Sequence, residues 1–269
     1  MRTYCLITGS RNMKQMCTLK RVFGAIVMAL AFAGVSIAEH PLITDDTGTQ
    51  GKGKFQLETS FEQKHEEGGG YRANESQFRL AITYGVVDKV DIICTVPFLY
   101  VRTKDYGIKS TNSGVSDVTL ETKWRFHESD GLSFAIKPGL SVPSGDCNAG
   151  LGAGKVGGSL FLIATKEIEP FAFHFNAGYI RNENDVDEGP NVWHVSLASE
   201  WKTLNWLKVV GNLGTEGGRD AASDIPEGFI IGGLIFLVSE RIDLDLGLKG
   251  IFAESIQGYC LLAGATFRF

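Results

Sequence analysis

The chain has 269 residues, 43% hydrophobic and 10% aromatic, with 33 Gly and 7 Pro, and a formal net charge of −5. Its first 38 residues hold Arg2, Arg11, Lys14, Lys20 and Arg21 and no acid, so the 231 residues from Glu39 onward carry a formal −10. So acidic a chain argues against nucleic acid as a partner, since that needs a basic face to displace counterions from phosphates. Beyond the leader nothing is apolar enough for a transmembrane helix. Of the five cysteines, Cys5 and Cys17 lie in the leader, and the odd set Cys94, Cys147 and Cys260 is not a disulfide framework.

In chain order, the uncharged run VFGAIVMALAFAGVSIA closes on Ser36-Ile37-Ala38 and has the small-x-small shape of a secretory cleavage site. It predicts a cleaved signal peptide over 1–38, with Met13 an alternative start at a better distance from the apolar run, and one domain over 39–269. The run is shorter than the roughly 20 residues of a membrane anchor.

The rest alternates apolar and polar residues with almost no helical period. Strands are predicted at Lys54 to His65, Glu75 to Gly85, Val90 to Val101, Val115 to Phe126, Leu132 to Val142 and Gly157 to Lys166. Six more are predicted at Phe171 to Arg181, Val192 to Trp201, Trp206 to Glu216, Gly228 to Val238, Arg241 to Phe252 and Gly258 to Phe269. Each is near the ten residues that a tilted strand needs to cross a bilayer. In DVTLETKWRF, Val118, Leu120, Thr122, Trp124 and Phe126 share one face, and Asp117, Thr119, Glu121, Lys123 and Arg125 the other. Only Gly228 to Val238 leaves the lipid-facing side open. Pro97 and Pro138 cannot donate to a ladder and imply bulges or local breaks.

Short turns (GVVDK, HESDG, KEIEP, KTLN, SE) alternate with longer polar or glycine-rich loops such as RTKDYGIKSTNSG and PSGDCNAGLGAGK. That asymmetry, with about twelve strands, is the pattern of an antiparallel transmembrane β-barrel of the bacterial outer membrane. Aromatics gather at strand ends in two bands: Tyr84, Trp124, Phe126, Phe171, Trp201, Trp206 and Phe269 by the short turns, and Tyr71, Tyr100, Tyr179, Trp193, Phe252 and Tyr259 by the long loops. The last strand, YCLLAGATFRF, is apolar on one face only, and pairing it with the first removes the edge. Its closing Phe269 resembles the signal by which barrel assembly machinery recognises outer-membrane proteins, which makes that machinery an expected partner beside the lipid bilayer and a small-molecule solute.

HPLITDDTGTQGKGKFQLE, YGVVDKVDI, GVSDVTLETKWRF, KPGLSVPSGD, GLGAGK, ATKEIEPFAFHFNAGYIRN, VWHVSLASEW and LLAGATFRF stand in order along the chain after the leader. Together they resemble the MetA-pathway of phenol degradation family of outer-membrane barrels. The resemblance implies uptake of small hydrophobic or aromatic compounds, by analogy to fatty-acid and toluene channels, and it brings no catalytic residues.

The strand phases put Glu58, Glu62, Lys64, Arg79, Glu121, Lys123, Arg125, Lys137, Glu200, Lys208, Asp243, Asp245, Lys249 and Arg268 toward a lumen, as lining residues of a passive channel. Their mixed sign favours neither a cation nor an anion filter. The alternative is that they pair with one another and fill a closed structural or adhesive barrel. No cofactor, metal or catalytic residue is expected. GLGAGKV has Ala149 where a phosphate loop needs its first glycine and Val156 where it needs Ser or Thr. His174 and His194 face inward on neighbouring strands but out of register, and neither pairs in sequence with a convincing Ser, so an outer-membrane enzyme is the weaker alternative. The glycine-rich loop from Pro143 to Lys155 is a candidate gate at the pore mouth, against an ordinary exposed loop.

Overall fold

A computed structural model describes residues 40–68, 71–186, 188–218, 225–253 and 257–269, so the expected leader over 1–38 lies outside the described residues. The strands are β1 (Phe55–Gly68), β2 (Tyr71–Val87), β3 (Val90–Asp105), β4 (Ile108–Val115), β5 (Val118–Ser129), β6 (Leu132–Val142) and β7 (Gly157–Ile168). They continue as β8 (Phe171–Arg181), β9 (Asn191–Leu204), β10 (Leu207–Gly217), β11 (Glu227–Ser239), β12 (Ile242–Phe252) and β13 (Gln257–Arg268). All pair antiparallel with their neighbours, and β1 pairs with both β2 and β13, which closes the ring. Gln56 stands opposite Arg268 and Glu67 opposite Gln257, so the seam is paired along its length. In a bilayer no water is available to an open edge, and closure satisfies every backbone group along that seam.

The thirteen strands make twelve staves, because β4 and β5 share one side of β3. β4 covers Phe98 to Asp105 and β5 covers Val90 to Thr95, with the step at Ser116 and Asp117. Pro97 sits at that step, where Ser116 N donates to the Pro97 carbonyl at 2.9 Å. Pro138 marks a gap in the ladder, since pairing between β5 and β6 stops after Glu121 opposite Gly139 and resumes in the same register at Trp124 opposite Ile136, while the bulge itself comes lower, between Arg125 and His127.

The strand β4 occupies residues that the sequence reads as a loop. RTKDYGIKSTNSG is polar on both faces, so it carries no amphipathic signal, yet Tyr106 (φ 43) and Gly107 (φ 93) form the two-residue turn with positive φ at both positions that joins twisted strands. The same chemistry closes HESDG, where Asp130 and Gly131 have φ 50 and φ 70.

Away from the bulges, side chains alternate between lipid and lumen. Ile92, Leu120, Trp124, Leu162, Phe175, Leu197, Leu213, Leu244 and Leu261 are large, apolar and exposed on the outer face, whereas Asp91, Glu121, Lys123, Lys137, Thr165, Asn176, Ser196 and Asp245 are buried inside. In β11, Phe229, Ile231 and Ile235 face inward and Ile230, Leu234 and Val238 face lipid, which resolves the one open phase. Both of its faces are apolar, so alternation alone could not orient it.

Leu120→Arg and Leu244→Arg put a charge on the lipid face near mid-membrane and are expected to lower folding free energy by roughly 2 to 4 kcal/mol. Urea unfolding in phospholipid vesicles measures it; losses close to zero would mean that these side chains do not meet hydrocarbon.

Candidate functional site

The lumen is crossed by the chain's own N-terminal segment. Residues 40–54 precede β1 at the short-turn end, and within them Leu42, Thr44, Asp45 and Thr47 are buried among the inner faces of the strands. At the mouth, Thr49 Oγ1 donates to the Asp88 carbonyl at 2.8 Å, and Gln50 N donates to Asp91 Oδ2 at 3.0 Å. Deeper in, Thr47 N donates to Thr165 Oγ1 at 3.2 Å, while its hydroxyl lies 2.5 Å from that of Ser133.

The centre of the site is Asp45. Its Oδ1 accepts from Lys123 Nζ at 2.9 Å and its Oδ2 lies 2.9 Å from Lys137 Nζ, so one carboxylate bridges two ammonium groups on adjacent strands. Glu121 Oε1 stands 3.4 Å from the same Lys137 Nζ, which is fully buried. Asn176, with its amide turned to satisfy both groups, accepts from Asp45 N at 2.7 Å and donates to Asp45 O at 2.9 Å. Asp46 lies 3.5 Å from Lys123 Nζ. Burial pushes its carboxyl up, but the charge of Lys123 and the backbone N–H of Gly48 outweigh burial and lower it to about 2. It stays ionised at neutral pH, so the lysine is held from both carboxylates.

Between Asp45 and His40 the segment is held by neutral groups. Asn212 Oδ1 accepts from Ile43 N at 2.7 Å and Thr44 N at 3.1 Å, and its Nδ2 donates to Thr44 Oγ1 at 2.6 Å. Thr44 Oγ1 donates to Ser196 Oγ at 2.7 Å, and that hydroxyl lies 2.9 Å from His194 Nε2. Leu42 packs on Ala198, Val210 and Ile235, and Ile43 on Phe229, Ile231, Cys260 and Leu262. Pro41 lies where Cβ atoms on Gly233 and Gly247 would come within 2.6 and 2.8 Å, so these two glycines admit the segment against the wall. His40 Nδ1 meets Asp245.

The lining residues predicted from phase lie on the inner face, and most are engaged. Arg79 pairs with Glu62, Lys64 with Glu66 at 2.7 Å, Lys208 with Glu200 at 2.8 Å, Arg268 with Asp243 at 2.7 Å and Arg125 with Glu128 at 3.5 Å. Lys249 Nζ sits over the Phe229 ring at 5.2 Å. Glu58 lines a cavity of about 550 Å³ at the short-turn mouth, with Asp91, Lys123, Arg268, Asp45 and Asp46 also on its wall. His174 and His194 are four residues out of register, opposite Ala198 and Gly178. His174 Nδ1 meets Thr165 Oγ1 at 3.0 Å.

The sequence does not point to Asp45, Thr44 or Asn212, because their partners lie far away along the chain and share no period with them. The adjacent carboxylates of Asp45 and Asp46, set ahead of the first strand and facing a lumen with buried lysines, are the one local sign.

The loop from Pro143 to Lys155 folds onto the upper lumen. Leu151 is buried against Leu99 and Val101, and Asp117, at the step between β4 and β5, accepts from Gly145 N at 2.9 Å and Ala153 N at 2.7 Å. A Cβ on Gly152 would fall 2.3 Å from Asp117 Oδ1, so glycine is needed there for close approach. Lys155 Nζ pairs with Asp185 of the next long loop at 2.7 Å, and that hydrogen bond holds its ammonium above the usual range.

A family model described as "Putative MetA-pathway of phenol degradation" matches residues 41–269. An outer membrane channel from Pseudomonas putida F1 superposes with a TM-score of 0.66 at 14% identity, covering 83% of this chain and 98% of that one. The beta domain of the Bordetella autotransporter BrkA gives 0.57 at 12%, covering 81% and 100%, and the NanC porin 0.53 at 9%, covering 78% and 98%. At these identities the likeness is one of fold. No curated protein shows a significant sequence match.

Removing Lys137 strands Glu121 and one oxygen of Asp45 inside the barrel, so Lys137→Ala is expected to cost about 3–5 kcal/mol, as for other broken buried pairs. Denaturant unfolding followed by tryptophan fluorescence reads it. A loss below about 1 kcal/mol, the value for an exposed pair, would mean that the cluster is hydrated.

Proposed function

The chain belongs to the MetA-pathway of phenol degradation family, and we propose that it is a channel of the bacterial outer membrane, taking up small hydrophobic or aromatic solutes past a displaceable N-terminal segment. The observation that carries this reading is the lumen segment itself: it runs into β1 and is held in the lumen by side-chain contacts that can be exchanged, not by strand pairing. The apolar side chains at mid-lumen, Phe229, Ile231, Ile235, Phe161 and Leu262, line a surface suited to apolar solutes once the segment moves. The relatives in fold that are channels and porins support a non-enzymatic role. In this reading, 1–38 is a cleaved export leader, 39–269 is the barrel, and Phe269 is offered to the assembly machinery. The loop held by Asp117 would be a second constriction, on the long-loop side.

The same segment favours a second reading, a barrel that stays closed and serves as a structural or adhesive element. Deleting residues 40–48 separates the two. For a channel, the deletion is expected to raise single-channel conductance severalfold and to speed entry of a small aromatic alcohol into proteoliposomes, while the intact protein passes the same solute more slowly. If neither protein passes ions or aromatic solutes although both fold, the closed barrel is the better account.

A further inference from the structure

The outer face of the barrel carries a basic patch at its long-loop rim that the lumen reading leaves unused. Alternation on β1 to β4 produces horizontal rows across the wall. Phe61, Phe78, Phe98 and Val115 form one apolar row, exposed to lipid. Two residues higher the row is Gln63, Ser76, Tyr100 and Ser113; the next is His65, Asn74, Arg102 and Thr111; the highest is Glu67, Arg72, Lys104 and Lys109. Polarity therefore rises with height, and the top two rows bring Arg72, Arg102, Lys104 and Lys109 together, all exposed, on three neighbouring strands.

Arg72, Lys104 and Lys109 stand directly opposite one another across β2, β3 and β4, and like charges in that position repel. Glu67 pairs with Arg72 at 3.0 Å. Among the described side chains no acid pairs with Arg102, Lys104 or Lys109. Elsewhere on this rim the described cations are matched, Arg181 by Glu183 at 2.5 Å and Lys155 by Asp185 at 2.7 Å. In a chain with a formal −10 after its leader, a cluster of four cations with one acidic partner, Glu67, marks an anionic partner. Arg102 is also pre-oriented, since its Nε donates to the Tyr100 hydroxyl at 2.6 Å and its guanidinium lies 4.8 Å from that ring, which leaves its Nη groups as the donors for a ligand.

Height identifies the partner. Four residues of strand separate Phe98 from Arg102 and six separate it from the row of Arg72, Lys104 and Lys109, about 13 and 20 Å along the strand and roughly 10 and 15 Å along the membrane normal for a tilted stave. Arg102 therefore stands in the headgroup layer directly above side chains that touch hydrocarbon, and Arg72, Lys104 and Lys109 stand at its outer side. Whatever meets them laterally carries acyl chains below and negative charge above. We propose that this patch is a binding site for the phosphate groups of a phosphorylated glycolipid of the outer leaflet, with Arg102 and Arg72 as forked donors and Lys104 and Lys109 as point charges. This assignment rests on the orientation that places the long loops outside the cell.

The test uses the full barrel in detergent and three probes: a bis-phosphorylated lipid A, the same lipid without phosphates, and inorganic phosphate. Native mass spectrometry is expected to show bound bis-phosphorylated lipid on the wild type, and at least about tenfold weaker binding by the Arg72→Gln/Arg102→Gln/Lys104→Gln/Lys109→Gln variant. A Lys202→Gln/Arg241→Gln variant at the opposite rim should bind as the wild type does, and millimolar inorganic phosphate should not compete. Equal binding of the dephosphorylated lipid, or no loss in the fourfold variant, overturns the proposal, and phosphate alone protecting the site reassigns it to a small anion. Folding of each variant is checked by heat-modifiable gel mobility, with Arg102→Gln/Lys104→Gln as the reserve. An epitope tag at Gly107 that is unreachable on intact cells would overturn the orientation, and so the site. Unaltered conductance in the fourfold variant separates this outcome from the channel reading.

Discussion

Everything in this molecule depends on the pairing of its first and last described strands. Phe55 N donates to Phe269 O at 3.1 Å and Phe269 N to Phe55 O at 2.8 Å, and from that pair the ladder runs unbroken to Glu67 opposite Gln257. An open sheet of this kind would expose a row of backbone groups that hydrocarbon cannot satisfy, at a cost of several kcal/mol each. Once the ring is closed, its two faces separate by chemistry. The apolar set is exposed outward, where lipid accepts it, and the ionisable set converges on a narrow interior.

That convergence creates the second constraint. Lysines at 123 and 137 and acids at 121, 243 and 245 all turn into the interior, mostly out of reach of bulk water. A buried charge without a partner is far more costly than a pair, so the interior must neutralise itself. Wall residues do part of this, as in Lys208 with Glu200 and Arg268 with Asp243. The segment ahead of β1 does the rest, by placing the Asp45 carboxylate between two lysines. Occlusion of the lumen and neutralisation of its charges are thus one event, and a solute that passes must be accompanied by some rearrangement of this cluster.

The wall departs from regularity at the step between β4 and β5. Pro97 cannot donate there, and Asp117 turns its carboxylate to the backbone of the long loop instead of to a neighbouring strand. Upper and lower lumen are consequently held by different means. The lower part is held by ion pairs to the N-terminal segment, and the upper part by a loop pinned through one aspartate and the apolar contact of Leu151 with Leu99 and Val101.

Alternation is a local property with a period of two, and it was enough to yield the barrel class, the count of about twelve staves and the direction of side chains such as Leu120 and Lys123. Turn chemistry is local too: Asp130-Gly131 and Tyr106-Gly107 are visible in the sequence, although only the first is bounded by amphipathic strands, which is what marks it as a turn. The β4 arm escaped because its polarity is equal on both faces, and the phase of β11 because its apolarity is. What only the tertiary structure decided is which of the inward charges meet. Asp45 and Lys123 are 78 residues apart, Thr44 and Asn212 168 apart, and no pattern within either segment encodes the other. Their encounter follows from closing the ring, which turns distance along the chain into adjacency across a lumen.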